Sequence, residues 1–253
     1  MSYLLRDIRL SLIVPVELRL FDEYGAIFVT AATPPPTVLF KNAGEVEAFQ
    51  ASLHVRSSTF GEHTIELQAE AMEALLAAAA EVGQQGGSVT ARAADSGRRS
   101  YGETLSLWTR NVTRGLEHWE QSGRLAAERA RVIRDLAPAE QVAVILEMEE
   151  REQLYFSTWF DKSILYSVAA PGASQHLSLL AFDVAEYQDG RVEEALNRHG
   201  WYRTVISDLP HFTYLGHAQD ALAGLGLKQV TRSYGDTQYR FWVPDLDTTL
   251  EKV

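Results

Sequence analysis

The sequence predicts an α+β fold in which helices flank a mainly antiparallel sheet, and three observations lead there. Helical periodicity dominates the middle of the chain, short apolar or alternating runs dominate from Ser163 onward, and two late runs face each other across Tyr234-Gly235-Asp236 as a hairpin. At 253 residues the chain can bury a core as one large domain or two small ones. The expected division is an N-terminal arm, residues 1–60, packing on a core domain, residues 61–253.

Within the arm, Gly25 to Thr30 is strand-like, Pro34-Pro35-Pro36 forces an extended segment, and Ala43 to Leu53 reads as a short helix. A stronger helix is expected over Ile65 to Val82, where Ile65, Leu67, Ala71, Met72, Leu75, Leu76 and Ala79 fall near helical spacing. Gln84-Gln85-Gly86-Gly87 ends it, and Ser88 to Ala93 reads as a strand. Tyr101 to Gln121 and Arg124 to Leu136 are amphipathic helices separated by Gly123, and Pro138 opens another that runs to Tyr155. Strands are expected at Ile164 to Ala169, Leu179 to Ala185, Tyr202 to Ile206 and His211 to Leu215, with one helix at Asp189 to His199 between them. Lys228 to Ser233 and Thr237 to Val243 form the closing hairpin.

Composition excludes several function classes. A net charge of -11 disfavours broad nucleic-acid binding, which calls for clustered Lys and Arg. The absence of cysteine removes disulfides, thiolate catalysis and Cys-type metal ligation together. No transmembrane segment is expected, because the most apolar early stretch, Leu10 to Phe21, is interrupted by Pro15, Glu17 and Arg19. That stretch also lacks the form of a secretory signal, so a complete chain would be cytoplasmic. Ser-x-x-Lys, G-x-S-x-G, H-E-x-x-H and phosphate-binding glycine loops are all missing.

What remains is a set of imidazoles and carboxylates. His176, Asp183 and His211 would give zinc three protein ligands and leave a position open for water, and Asp208, three residues before His211, could take that water's proton. On a uniform helix His176 and Asp183 would be about 10 Å apart in rise. On a uniform strand their odd offset sends them to opposite faces. The segment must therefore bend, and Pro171-Gly172-Ala173-Ser174 reads as the loop that delivers His176. One tight turn at a strand entrance can bring Asp208 and His211 together. Spacing alone leaves open that either histidine is simply a buried residue bonded to a backbone carbonyl.

The flanks add a resemblance. Ser174-Gln175-His176-Leu177-Ser178-Leu179-Leu180-Ala181-Phe182-Asp183 resembles the S-x-H, two residues, G-x-A-x-D motif of the zinc D-alanyl-D-alanine carboxypeptidase and dipeptidase family, the VanY-like enzymes that share a core with Hedgehog domains. Ala170-Pro171-Gly172 matches the P-G that leads into it. Asp208-Leu209-Pro210-His211-Phe212-Thr213-Tyr214 is similar to the family's acidic residue ahead of a histidine and an aromatic-rich strand. Ser96-Gly97-Arg98-Arg99-Ser100-Tyr101 is similar to its S-G-Y-R-S-Y and departs at Arg98. The three elements occur in the family's order.

The resemblance implies a Hedgehog/DD-peptidase-like core and zinc held by His176, Asp183 and His211. It implies Asp208 as general base, Arg99 as substrate-orienting cation and Ser174 as a hydrogen-bonding residue at the ligand loop. The implied partner is a peptidoglycan stem peptide, cleaved as a D-Ala-D-Ala carboxypeptidase, in the periplasm or at the cell surface. The alternative is a non-catalytic wall-binding or interaction module with structural zinc. Leu179 replaces the motif's glycine, so the bend uses Ser178 or the backbone is less strained. Asp208 replaces the usual glutamate and is one methylene shorter, a displacement of roughly 1 Å that can cost about a hundredfold in rate. Thr104 stands where many relatives carry glutamine. His199 reads as a helix C-terminal residue capped by Gly200, and His217 lies close enough in sequence to approach the site.

Overall fold

A computed structural model describes Leu5 and residues 14–245; the expected apolar stretch from Leu10 therefore lies partly outside the described residues. The fold is α+β, with seven α-helices among the described residues and antiparallel pairing throughout. The helices are α1 Pro15–Tyr24, α2 Ala43–Ala51, α3 Ala69–Gln84, α4 Tyr101–Gln121, α5 Ala127–Arg134, α6 Pro138–Glu152 and α7 Gly190–Arg198. The strands are β1 Val55–Phe60, β2 His63–Gln68, β3 Ala181–Asp183, β4 Trp201–Tyr202, β5 His211–Tyr214, β6 Leu227–Tyr234 and β7 Thr237–Pro244. They form three small sheets, β1-β2, β3-β5-β4 and β6-β7, instead of one. No helix among the described residues is long and apolar enough to cross a membrane.

The chain divides into two compact units. The first comprises Ala48–Arg99 and the described parts of Met1–Val38 and Gln175–Val253. Its main core joins Met72, Leu75, Ala78 and Val82 of α3, Val192, Ala195 and Leu196 of α7, and Phe182, Trp201, Phe212 and Tyr214 of the three-stranded sheet. A second cluster packs Phe21, Ala26 and Val29 with Tyr202, Leu215 and Leu227. The second unit comprises Leu39–Glu47 and Ser100–Ser174 and is helical. Within it Trp108 Nε1 donates to Gln141 Oε1 at 2.9 Å, and Gln141 Nε2 donates to the Ile133 carbonyl. The buried Glu149 carboxylate accepts from the backbone of Phe156 and Ile164.

Several expectations are corrected. Gly25–Val29 is a 3-10 helix, not a strand, since a short apolar run carries no period that separates the two. Ile65 and Leu67 belong to β2, and the helix starts only at Ala69. Their i, i+2 spacing is a strand period, with Thr64 and Glu66 turned outward across a hairpin whose two-residue loop begins at Gly61, φ +67°. Strands therefore precede the helical middle as well as follow it. Ser88 to Ala93 forms no strand. It is stitched to its neighbours by the single bridge Ala91–Val184 and by bonds such as Arg92 N to Asp183 O. Ile164–Tyr166 is a 3-10 turn capped by Ser163.

Candidate metal centre

The site is built on β3 and β5. Their register places Asp183 directly opposite His211, with Phe182 opposite Phe212 and Ala181 opposite Thr213. Alternation then sorts the side chains: Phe182 and Phe212 enter the main core, while His211 and Thr213 share the other face with Asp183. His176 reaches the same face from the 3-10 helix Gln175–Ser178. Leu179, at φ +54°, makes the left-handed bend that lets the chain enter β3. So the bend falls at the motif's glycine position itself, neither at Ser178 nor in relaxed backbone. The turn ahead of β5 is closed by His211 N donating to the Asp208 carbonyl at 3.3 Å, at the strand entrance as expected.

Ser96 to Arg99 completes the frame. Asp183 N donates to Ser96 O, and Arg99 N donates to His176 O. Gly97 is required by close approach, because a Cβ there would lie 2.4 Å from Ile65 Cγ2 and 2.9 Å from Glu66 O.

His176, Asp183 and His211 each present a ligand atom within 4.8 Å of the others, and all three are buried. His176 Nε2 lies 3.3 Å and His211 Nδ1 3.1 Å from the same oxygen, Asp183 Oδ1. The outer nitrogens face acceptors: His176 Nδ1 is 2.7 Å from Gly97 O, and His211 Nε2 is 2.8 Å from Gln175 Oε1. A ring that is neutral and keeps its proton on the outer nitrogen, toward these acceptors, turns the inner nitrogen's lone pair toward the carboxylate oxygen. Lone pairs facing an anion repel unless a proton or cation stands between them. Two imidazole nitrogens and a carboxylate, each imidazole backed by an acceptor, are a donor set that fits a metal ion. The group can hold one.

The electrostatics agree. Burial lowers the pKa of His176, so its neutral, ligating form is favoured. Burial alone would raise the Asp183 carboxyl, but His176 and His211, when they carry a proton on the nitrogen that faces it, outweigh burial and hold that group well below the usual carboxylate range. Asp208 moves the other way. The surrounding protein desolvates its carboxyl and raises it, and Asp183 adds to the rise. The side chain is exposed by surface area, so water limits that effect.

Arg99 is half-buried and already engaged. One terminal nitrogen donates to Asp183 Oδ2 at 2.8 Å, and Nε bonds the Asp95 carbonyl at 3.0 Å and lies 3.2 Å from its carboxylate. Arg98, the departure from the motif, points elsewhere, to Glu66 and Gln50. Ser174, the last residue of the second unit, is buried. His217 is bonded to Val29 O at 2.8 Å, and His199 ends α7 beside Gly200 with its ring on Glu81.

Comparison with protein-family models, curated proteins and solved structures finds no match. The geometry stands by itself.

Sequence reasoning missed Gln175, Thr204 and Thr213, which join in one buried hydrogen-bonded group behind His211. A weak signal existed in the threonine two residues after His211, on the same strand face. Asp95, four residues before Arg99, was also overlooked.

Proposed function

We propose that this chain is a zinc peptidase acting on D-alanine-containing or related cell-wall peptides, most simply as a D-Ala-D-Ala carboxypeptidase. The observation that carries the reading is the directly opposed pair Asp183 and His211, joined by His176, with one nitrogen of each ring within 3.3 Å of a shared carboxylate oxygen. Support also comes from the motifs around these residues, which resemble the VanY-like family in kind and order. On this reading β3, β5 and β4 with α3 and α7 correspond to the DD-peptidase-like core. Two nitrogens and a carboxylate oxygen suit zinc better than magnesium or calcium.

Zinc, when bound, would polarise the scissile carbonyl and acidify the attacking water. Asp208 takes that water's proton as its oxygen attacks the carbonyl carbon, and passes it to the leaving amine as the C–N bond breaks. A raised carboxyl pKa brings Asp208 closer to the range in which it can both accept and return a proton. Arg99 holds Asp183 in place and offers its remaining terminal nitrogen to the peptide's free carboxylate.

The test is zinc content of the purified protein together with D-Ala release from a stem pentapeptide, with and without chelator. Chelator-sensitive release is expected. Full zinc occupancy without cleavage of any wall peptide would remove the enzyme reading. The second reading, a wall-binding or interaction module with structural zinc, is favoured by the engagement of Arg99 with Asp95 and Asp183. It requires Asp208→Ala to leave both zinc binding and biological activity unchanged.

A further inference from the structure

Gln175 follows Ser174 in the ligand motif at a position the motif leaves unspecified, and its side chain is buried at the back of the site. Its Nε2 donates at 2.9 Å to the Tyr24 carbonyl, an atom that only accepts. This fixes the amide with Oε1 toward β5, where it accepts from His211 Nε2 at 2.8 Å and from the Thr213 hydroxyl. Thr204 Oγ1 lies 2.7 Å from Thr213 Oγ1 and 3.3 Å from Oε1, and supports the same arrangement. A flipped amide would set carbonyl against carbonyl at Tyr24.

We propose that Gln175 is a positioning residue that keeps a proton on His211 Nε2 and so selects Nδ1 as this histidine's metal-binding nitrogen. The competition it resolves is local. His211 Nδ1 is 3.1 Å from Asp183 Oδ1, and with no acceptor behind the ring its single proton would be drawn to Nδ1, closing the lone pair a cation needs. Gln175 supplies the opposing acceptor. The two histidines then ligate through different nitrogens: His176 through Nε2, because Gly97 O holds its Nδ1 proton, and His211 through Nδ1. A single dipeptide, Gln175-His176, thus supplies one ligand and sets the tautomer of another.

The metal half of this inference rests on the proposed zinc site, whereas the Nε2 proton is a property of the metal-free chain. The experiment is ¹⁵N–¹H correlation of the histidine rings in labelled protein at about pH 8, above the ordinary imidazole range, without metal and with cadmium or zinc. The expected result is a protonated His211 Nε2 in both states and a metallated Nδ1 when metal is present. An unprotonated Nε2 in the metal-free wild type, or ligation through Nε2, overturns the inference while leaving a metal site possible. Absence of any bound metal overturns the zinc reading while the Nε2 result still decides the role of Gln175.

Gln175→Met should weaken metal binding by about 10- to 100-fold and lose the fixed Nε2 proton. Gln175→Glu, whose carboxylate keeps an acceptor on His211 Nε2, should retain the fixed Nε2 proton. A folded Gln175→Met protein with unchanged ring signals and affinity also overturns the inference. If that variant fails to fold, the wild-type assignment and the Glu variant decide.

Discussion

Leu179 holds at φ +54° a backbone position where the related motif places glycine, and it does so with its side chain fully buried. A left-handed leucine costs roughly 1–2 kcal/mol in backbone energy, which burial of its side chain offsets. Leu179→Ala should therefore destabilise the protein by roughly 2–5 kcal/mol. Leu179→Gly should be no less stable than the alanine variant, because glycine recovers the backbone strain; denaturant titration of the two reads the order directly. At Asp208 the expectation is separation of binding from turnover. Asp208→Asn should retain the metal, lose about 10²- to 10⁴-fold in kcat and suffer no loss of stability at neutral pH, since ionising a carboxyl raised by its surroundings opposes folding. His176, Asp183 and His211 were legible because their chemistry and flanks are local in sequence. Gln175 was not: its role exists only once a carbonyl 151 positions away fixes its amide.

Helix α4 shows what was readable at the level of elements. Its bounds, Tyr101–Gln121, match the expected ones, and its start is set by a reciprocal capping box in which Ser100 Oγ accepts from Glu103 N while Glu103 returns a bond to Ser100 N. Ser100→Ala should cost about 1 kcal/mol, measured as a shift in the denaturation midpoint at unchanged slope. The closing hairpin was equally legible from its turn residues, and it forms between β6 and β7 with Tyr234 opposite Thr237. The short elements were not, because their limits are set by tertiary bonds. β4 is only two residues, Trp201–Tyr202. The chain after it is held by Arg203, whose buried guanidinium spans the Leu209 and Tyr187 carbonyls, pairs with Glu193 and lies over Phe212. Nothing in the local pattern around Arg203 announces a buried cation.

For the molecule as a whole, the buried carboxylate of Asp183 makes metal-free stability depend on pH with a definite sign. Its folded pKa is depressed, so it contributes stability above the ordinary aspartate value of about 4, and that contribution is lost as pH falls through the lower folded value. Denaturation midpoints of the metal-free protein, followed from about pH 6 to about pH 2, should fall more steeply for wild type than for Asp183→Asn. The sequence revealed the class of the fold but not its division into units. Periodicity reports neighbours along the chain, whereas the first unit is assembled from three separated stretches. That discontinuity orders events during synthesis. The stretch Ser100–Ser174, helical and rich in near-neighbour contacts, can acquire structure while Gln175 and everything after it has still to be made. The sheet that carries the ligands must wait for β5, so amides of α4 and α6 should gain protection in pulse-labelled refolding before those of β3 and β5, and a nascent chain halted short of His211 should bind no metal.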